Sequence, residues 1–286
     1  MNETPSDKAV AAHLRHIRLE GKSGRTVYDR ELTLKRLAKA LPVPLLEATA
    51  DDLYEWRAAL EGLKDATVAC YASSVISFYR WAVKQGLAAQ NPAGDLPVPP
   101  VPHREPHPIA DADLTLALSS APGLIRIWFL LACGCGLRAK EITLLRAECI
   151  RLREGTPHLR ITHTATKGRR ERTVPVPAFM IAELERADLY SSGLVFRKAG
   201  GGQLDDWTVS KLCNQHLRSM GIADVFHSLR HWYLTKAYAV EYNLRAVMEL
   251  AGHAHIQTTA GYAAIDGSAL ARTVNAIPSP LQKEAS

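Results

Sequence analysis

At 286 residues the chain can form two domains of ordinary size, each with its own core, and its 47% hydrophobic content is that of a globular protein. Lysine and arginine outnumber aspartate and glutamate 35 to 29, a net charge of +6 that suits an anionic partner. No signal peptide and no apolar run of about 18 residues is visible, since the stretch Ile125 to Cys135 is short and interrupted by Arg126, so a cytoplasmic protein is expected.

In chain order, helical periodicity is predicted over Ser6 to Glu20, Ser23 to Leu41, Thr49 to Leu60 and Ala66 to Gln85, with Ser23 and Thr49 as N-caps. These make a small four-helix domain. Arg25, Arg30, Lys35, Arg36 and Lys39 give its second helix a basic character, with Lys64, Arg80 and Lys84 following. Proline then becomes dense, at Pro97, Pro99, Pro100, Pro102, Pro106 and Pro108, which predicts an extended linker over residues 95–108 between a first domain at 1–94 and a second at 109–286.

The second domain begins helical, to about Leu145, and then changes pattern. Cys149 to Arg153, His158 to His163 and Glu171 to Val176 read as three short strands, with Gly155-Thr156-Pro157 and Lys167-Gly168-Arg169 as turns. Helical pattern resumes at Phe179, and Asn243 to Leu250 reads as a short helix ending at Gly252. The whole is mainly α with a small antiparallel β-sheet. Cys70, Cys133, Cys135, Cys149 and Cys213 are odd in number and lack a CxxC pair, which argues against a disulfide framework and a zinc site. The pairs Asp51-Asp52 and Asp205-Asp206 are adjacent, so their side chains diverge on a helix and do not converge on two metals.

Chemistry concentrates in the second half. Arg138 and Arg230 offer planar, permanently charged forks that suit phosphate oxygens. Glu141, one helical turn after Arg138, can hold that guanidinium by an i, i+3 pair. His227 and Arg230 share a helix face, and His231 lies close to it, so spacing alone does not choose between the two histidines.

The order of these pieces resembles the tyrosine recombinases, the family of phage integrases and Xer proteins. Gly136-Leu137-Arg138-Ala139-Lys140-Glu141 is similar to the family's first-arginine motif, and Thr166 to Pro175 to its lysine hairpin. His227-Ser228-Leu229-Arg230-His231 is similar to its HxxR box, and Leu250-Ala251-Gly252-His253, with Tyr262 nine residues on, to its closing segment. Lys140 departs from the small residue usual at its position, as Ala251 does from the common leucine.

The resemblance implies an N-terminal SAM-like core-binding domain and a C-terminal DNA breaking-rejoining catalytic domain. It makes Tyr262 the nucleophile on one DNA strand, leaving a 3′-phosphotyrosyl bond and a free 5′ hydroxyl. Only about one phenol in a thousand is ionised at neutral pH, so help from neighbours is required. Arg138, Arg230 and His253 would stabilise the transition state, Lys167 would protonate the leaving oxygen, and His227 would take the phenol proton. Glu141 and His231 would support them, and Arg25, Lys35, Arg36, Lys140, Arg169, Arg170 and Arg172 would touch DNA. Because bond energy is retained, no cofactor is implied, and no metal. The implied partner is double-stranded DNA with paired half-sites, held for integration, excision or dimer resolution by a homo-tetramer, or by a tetramer shared with a related recombinase, in which the segment after Tyr262 packs on a neighbour. Relaxation of DNA in the manner of a type IB topoisomerase, a non-catalytic DNA-binding protein of the same fold, and a helix-turn-helix regulator are the competing readings.

Overall fold

A computed structural model describes residues 4–102, 105–153, 155–162, 171–187, 189–241 and 243–252. The chain divides into two compact units, residues 1–103 and 104–286.

The first unit is a four-helix assembly of α1 (Pro5–Leu19), α2 (Gly24–Ala40), α3 (Ala50–Ala58) and α4 (Asp65–Lys84). Local chemistry fixes the starts of three of them. Thr4 with Asp7 and Thr49 with Asp52 form reciprocal capping boxes, and Ser23 accepts from the Thr26 amide. One stripe of each helix is apolar, so Leu34, Leu37, Leu53, Val75, Phe78 and Ala82 meet in a common core. The buried Tyr79 hydroxyl donates to the Leu45 carbonyl at 2.6 Å, satisfying a polar group that would otherwise be costly inside. This core extends to Ala93 and Leu96, so the first residues of the proline-rich segment pack with the first unit.

His13 is the odd member of this interior. It is buried, edge-on to Phe78 at 5.5 Å and tilted on Trp81 at 5.2 Å, and neither ring nitrogen has a hydrogen-bond partner. Desolvation, then the nearby positive charge of Arg30, push its pKa down to about 4. A histidine depressed on folding destabilises the fold as pH falls below its unfolded value of about 6.5, until the folded value is passed. Urea unfolding followed by tryptophan emission should therefore give a stability about 2 kcal/mol lower at pH 5 than at pH 7 for the first unit. His13→Leu should remove that difference, and an unchanged pH dependence in the variant would contradict the assignment.

The second unit holds α5 (Asp111–Ser120), α6 (Gly123–Cys135), α7 (Ala139–Thr143), a short 3₁₀ turn at Ala147–Cys149, β1 (Ile150–Arg151), β2 (His158–Ile161), β3 (Arg172–Pro175), α8 (Ala178–Arg186), α9 (Asp206–Ser219), α10 (Phe226–Glu241) and α11 (Leu244–Ala251). The strands form one antiparallel sheet in the order β1-β2-β3, with Leu159 opposite both Ile150 and Val174. The small sheet and the helical pattern are those expected from the sequence.

The most apolar helix, α6, is buried along nearly its whole second half, from Ile127 to Cys135, and α10 packs along it and on α9 and α11. Cys133, Cys135, Cys149 and Cys213 are buried thiols with no disulfide, and they serve as small packing residues. Among the described residues no helix is long and apolar enough to cross a membrane, and no group of three or more His, Cys, Asp or Glu could hold a metal ion.

Candidate active site

The site is organised by how α6 stops. Gly136 takes the left-handed conformation at φ 64°, and its amide and that of Leu137 both return to the Leu131 carbonyl, which closes the helix end. A side chain at Gly136 would be strained in that conformation and would also place its Cβ 2.5 Å from the Tyr233 ring. Leu137 is then buried as an anchor, and Arg138 becomes the N-cap of α7.

Glu141, on the first turn of α7, folds back on Arg138. Its Oε2 accepts the Arg138 backbone amide at 2.9 Å, and its Oε1 accepts Nη1 of the guanidinium at 3.0 Å. The expected i, i+3 pair is present, but it is not a surface pair. Glu141 is 1% exposed and is approached by two further arginines, Arg172 at 2.8 Å and Arg230 at 3.9 Å. Burial raises the carboxyl pKa, but the Arg172 hydrogen bond and the charges of Arg172, Arg230 and Arg138 overcome it and bring the value down to about 2. Three guanidiniums against one carboxylate leave a formal local charge of +2.

Arg230 is donated from α10 into the interior, with 2% of its side chain exposed. It donates to the Gly136 carbonyl and, at 2.6 Å, to the Ala251 carbonyl at the end of α11. Arg138 Nη1 donates to the same Ala251 carbonyl at 3.3 Å and keeps 26% of its side chain exposed. The last carbonyls of a helix carry partial negative charge, so they attract guanidiniums. Gly252, left-handed at φ 61°, ends α11 and leaves those carbonyls turned to the arginines. The two arginines that the sequence sets 92 positions apart thus meet on one peptide oxygen.

His227 and His231 are neighbours on α10, with ring centroids 4.6 Å apart and planes at 79°. Part of His227 faces solvent, yet protein packed around the ring, then His231, Arg230 and Arg138, depress its pKa to about 4. It is therefore neutral at pH 7 and able to accept a proton. Desolvation, then Arg230, also lowers the pKa of His231.

One expectation is corrected. Arg172 was expected on DNA, but its side chain is 7% exposed and all three guanidinium nitrogens are engaged inside the protein, Nη1 and Nη2 on Glu141 at 2.8 and 2.9 Å and Nε on the Leu250 carbonyl at 3.0 Å. The physical reason is strand alternation. Arg172 and Val174 lie on the same face of β3, Val174 is fully buried, and so Arg172 points inward as well. That signal was present in the sequence.

Of the remaining candidates, Lys140 is exposed on α7, and Arg25, Lys35 and Arg36 are exposed on α2. Arg25 pairs with Asp29 at 3.0 Å and Lys35 with Glu31 at 2.6 Å within the helix, while Arg36 lies over the Tyr71 ring and donates to its hydroxyl. Lys167, Arg169, Arg170, His253 and Tyr262 lie outside the described residues.

The sequence profile of the phage integrase family matches residues 109–268. The chain belongs to that family. Among its relatives, the tyrosine recombinase XerC of Rhodospirillum centenum is 34% identical, with 80% of this chain and 72% of the relative covered. The XerC of Neisseria meningitidis serogroup C is 30% identical, covering 91% and 92%. Among solved structures, a lambda integrase tetramer bound to a Holliday junction matches the fold with a TM-score of 0.70 at 17% identity, covering 87% of this chain and 77% of that one. This member of the phage integrase family is a DNA strand-transferring tyrosine recombinase, a site-specific enzyme that cuts and rejoins DNA.

Proposed function

We propose that the recombinase works in the manner of the Xer proteins, with Tyr262 as nucleophile and the Arg138, Glu141 and Arg230 cluster as its phosphate seat. The phenol oxygen attacks the scissile phosphorus, the bond to the 5′ oxygen breaks, and a 3′-phosphotyrosyl linkage forms. His227 takes the phenol proton and Lys167 gives one to the departing 5′ oxygen. A 5′ hydroxyl from a partner strand then reverses both transfers, so atoms and charge balance without a nucleotide or a metal.

Arg138, Arg230 and His253 bind the non-bridging oxygens as negative charge builds on them. Donors already fixed before reaction cost no reorganisation at that moment, and losing one typically lowers the rate about 100 to 1000-fold. The observation that carries the reading is the shared anchoring of Arg138 and Arg230 on Glu141 and on the Ala251 carbonyl, with an excess of positive charge and a neutral His227 beside it. The substrate is duplex DNA with paired half-sites, bound by four copies of the chain. The exposed arginines and lysines of α2 contact its backbone, and the protein acts in the cytoplasm.

The test is trapping. Nicked suicide duplexes cut from the native genomic neighbourhood are incubated with the full chain and resolved on a denaturing gel. A covalent adduct is expected on one class of duplex, and peptide mapping should place the DNA on Tyr262. Relaxation of supercoiled plasmid lacking any such duplex would favour the topoisomerase reading, and DNA binding with no adduct on any duplex would favour the non-catalytic one.

A further inference from the structure

We infer that Arg172 is a positioning residue of the recombination reaction: it locks the lysine-hairpin strand, the Arg138–Glu141 turn and the end of α11 into one frame, and thereby fixes where Arg138 and Arg230 stand. The inference deepens the proposed function and rests on it.

The geometry is unusual in its economy of donors. Both carboxylate oxygens of Glu141 accept the Arg172 fork, at 2.8 and 2.9 Å, and the remaining Nε caps the Leu250 carbonyl at 3.0 Å. A bidentate arginine–carboxylate pair fixes two planes relative to each other, which a lysine point charge cannot do. The three elements so joined each lead to a candidate catalytic residue. Arg172 is five residues after Lys167, Glu141 is three after Arg138, and Leu250 is three before His253.

The end of α11 is shaped to this guanidinium. A Cβ at Gly252 would lie 2.9 Å from Arg172 Nη1, so the glycine supplies room for the arginine as well as the left-handed turn. Cys135 and Tyr233 lie within electrostatic reach of the same guanidinium.

Why this should matter to the reaction follows from competition for one carboxylate. Glu141 is buried and must be compensated. Arg172 does this with a group that never reaches the surface. Without it, Glu141 is left to Arg138 at 3.0 Å and Arg230 at 3.9 Å, and both guanidiniums are drawn toward the carboxylate and out of the positions their carbonyl contacts set. A displacement of about 1 Å in such a seat can cost on the order of 100-fold in rate.

The pH dependence gives a signature. The groups facing Glu141 are Arg138 from its own helix cap, Arg172 from β3 and Arg230 from α10, with His227 of α10 within electrostatic reach. With Arg172 in place the carboxyl is held well below the usual carboxylate range. Removal of the fork leaves burial less opposed, so its pKa rises and the carboxylate is lost as pH falls.

The test uses the full chain and a suicide duplex of the class that wild type traps, comparing wild type with Arg172→Lys and Arg172→Met. Single-turnover cleavage, duplex Kd and thermal unfolding are read for each. Cleavage by Arg172→Lys should fall about 10 to 100-fold with Kd within about threefold. Arg172→Met should cut more slowly still and show a new acid-side loss of rate above that of wild type. Arg172→Lys that is folded and cuts at the wild-type rate with the wild-type pH profile overturns the inference alone. A loss that merely tracks weaker binding or a smaller folded fraction overturns it as well. A wild-type chain that binds every duplex and traps none sinks the proposed function and this inference together.

Discussion

Tyr262→Phe should abolish the covalent DNA adduct while leaving duplex binding within about twofold. On the proposed mechanism the substitution removes the attacking oxygen and little else, because phenylalanine fills nearly the same volume. Losing a nucleophile of a concerted catalytic group can cost on the order of 10⁶-fold, so a loss of at least about 10⁴-fold in single-turnover cleavage is expected. Two buried phenols, Tyr233 and Tyr79, are poor substitutes. Tyr233 lies against Gly136 beside the arginines, but burial, reinforced by Cys135, pushes its pKa up to about 12. Burial likewise raises the pKa of Tyr79, which spends its proton on the Leu45 carbonyl in the first unit. A denaturing gel with 5′- and 3′-labelled duplexes decides the matter: a 3′-linked adduct that survives in the variant would remove Tyr262 from the mechanism.

Glu141→Ala should cost about 3–5 kcal/mol of stability in the second unit, the largest structural effect foreseen for any single change in the site. Truncating one partner of a buried ionic group leaves the others uncompensated. Here the stranded charges are Arg172 and Arg230, both nearly inaccessible to water, together with the half-buried Arg138. The size agrees with linkage. A carboxyl depressed from about 4.5 to about 2 contributes about 3 kcal/mol at neutral pH. Because its folded pKa is lowered, that contribution is complete above the unfolded value and is lost as pH falls through the interval down to the folded one. Chemical unfolding of the full chain at pH 7 should show the second unit alone destabilised, and Glu141→Gln, which keeps an acceptor oxygen, should lose less. A loss under about 1 kcal/mol would mean that the three guanidiniums do not depend on this carboxylate.

Much of the fold could be read before any tertiary information. Helix starts at Ser23 and Thr49 are written in side chains that satisfy amides within three residues, and the helix end at Gly252 in a residue that accepts a positive φ, whereas the helical pattern runs on to about Leu145, past the end of α6 at Gly136. The three short strands were legible from alternation, since a side chain's face depends only on its parity along the strand. Arg138, Glu141 and Arg230 could be singled out by type and spacing. Arg172 was legible in part: parity with Val174 sends it inward, but its place beside Lys167, Arg169 and Arg170 in a basic run drew it toward the DNA expectation.

Partnership is what linear reading could not supply. Glu141 looks like the local partner of Arg138, and it is; that it also receives both arms of a guanidinium 31 positions away depends on where β3 lies against α7. His13 gave no sign of being an unpartnered interior base, because burial is a property of neighbours from α4. By itself, then, the sequence determined the helices, their caps, the strand faces and the identity of the charged groups, since each follows from interactions spanning a few residues. Only the tertiary structure decided that Arg138, Arg172 and Arg230 would converge on one buried carboxylate and one helix end, because such charges can be taken out of water only where packing brings oppositely charged and carbonyl oxygens within hydrogen-bond reach of them.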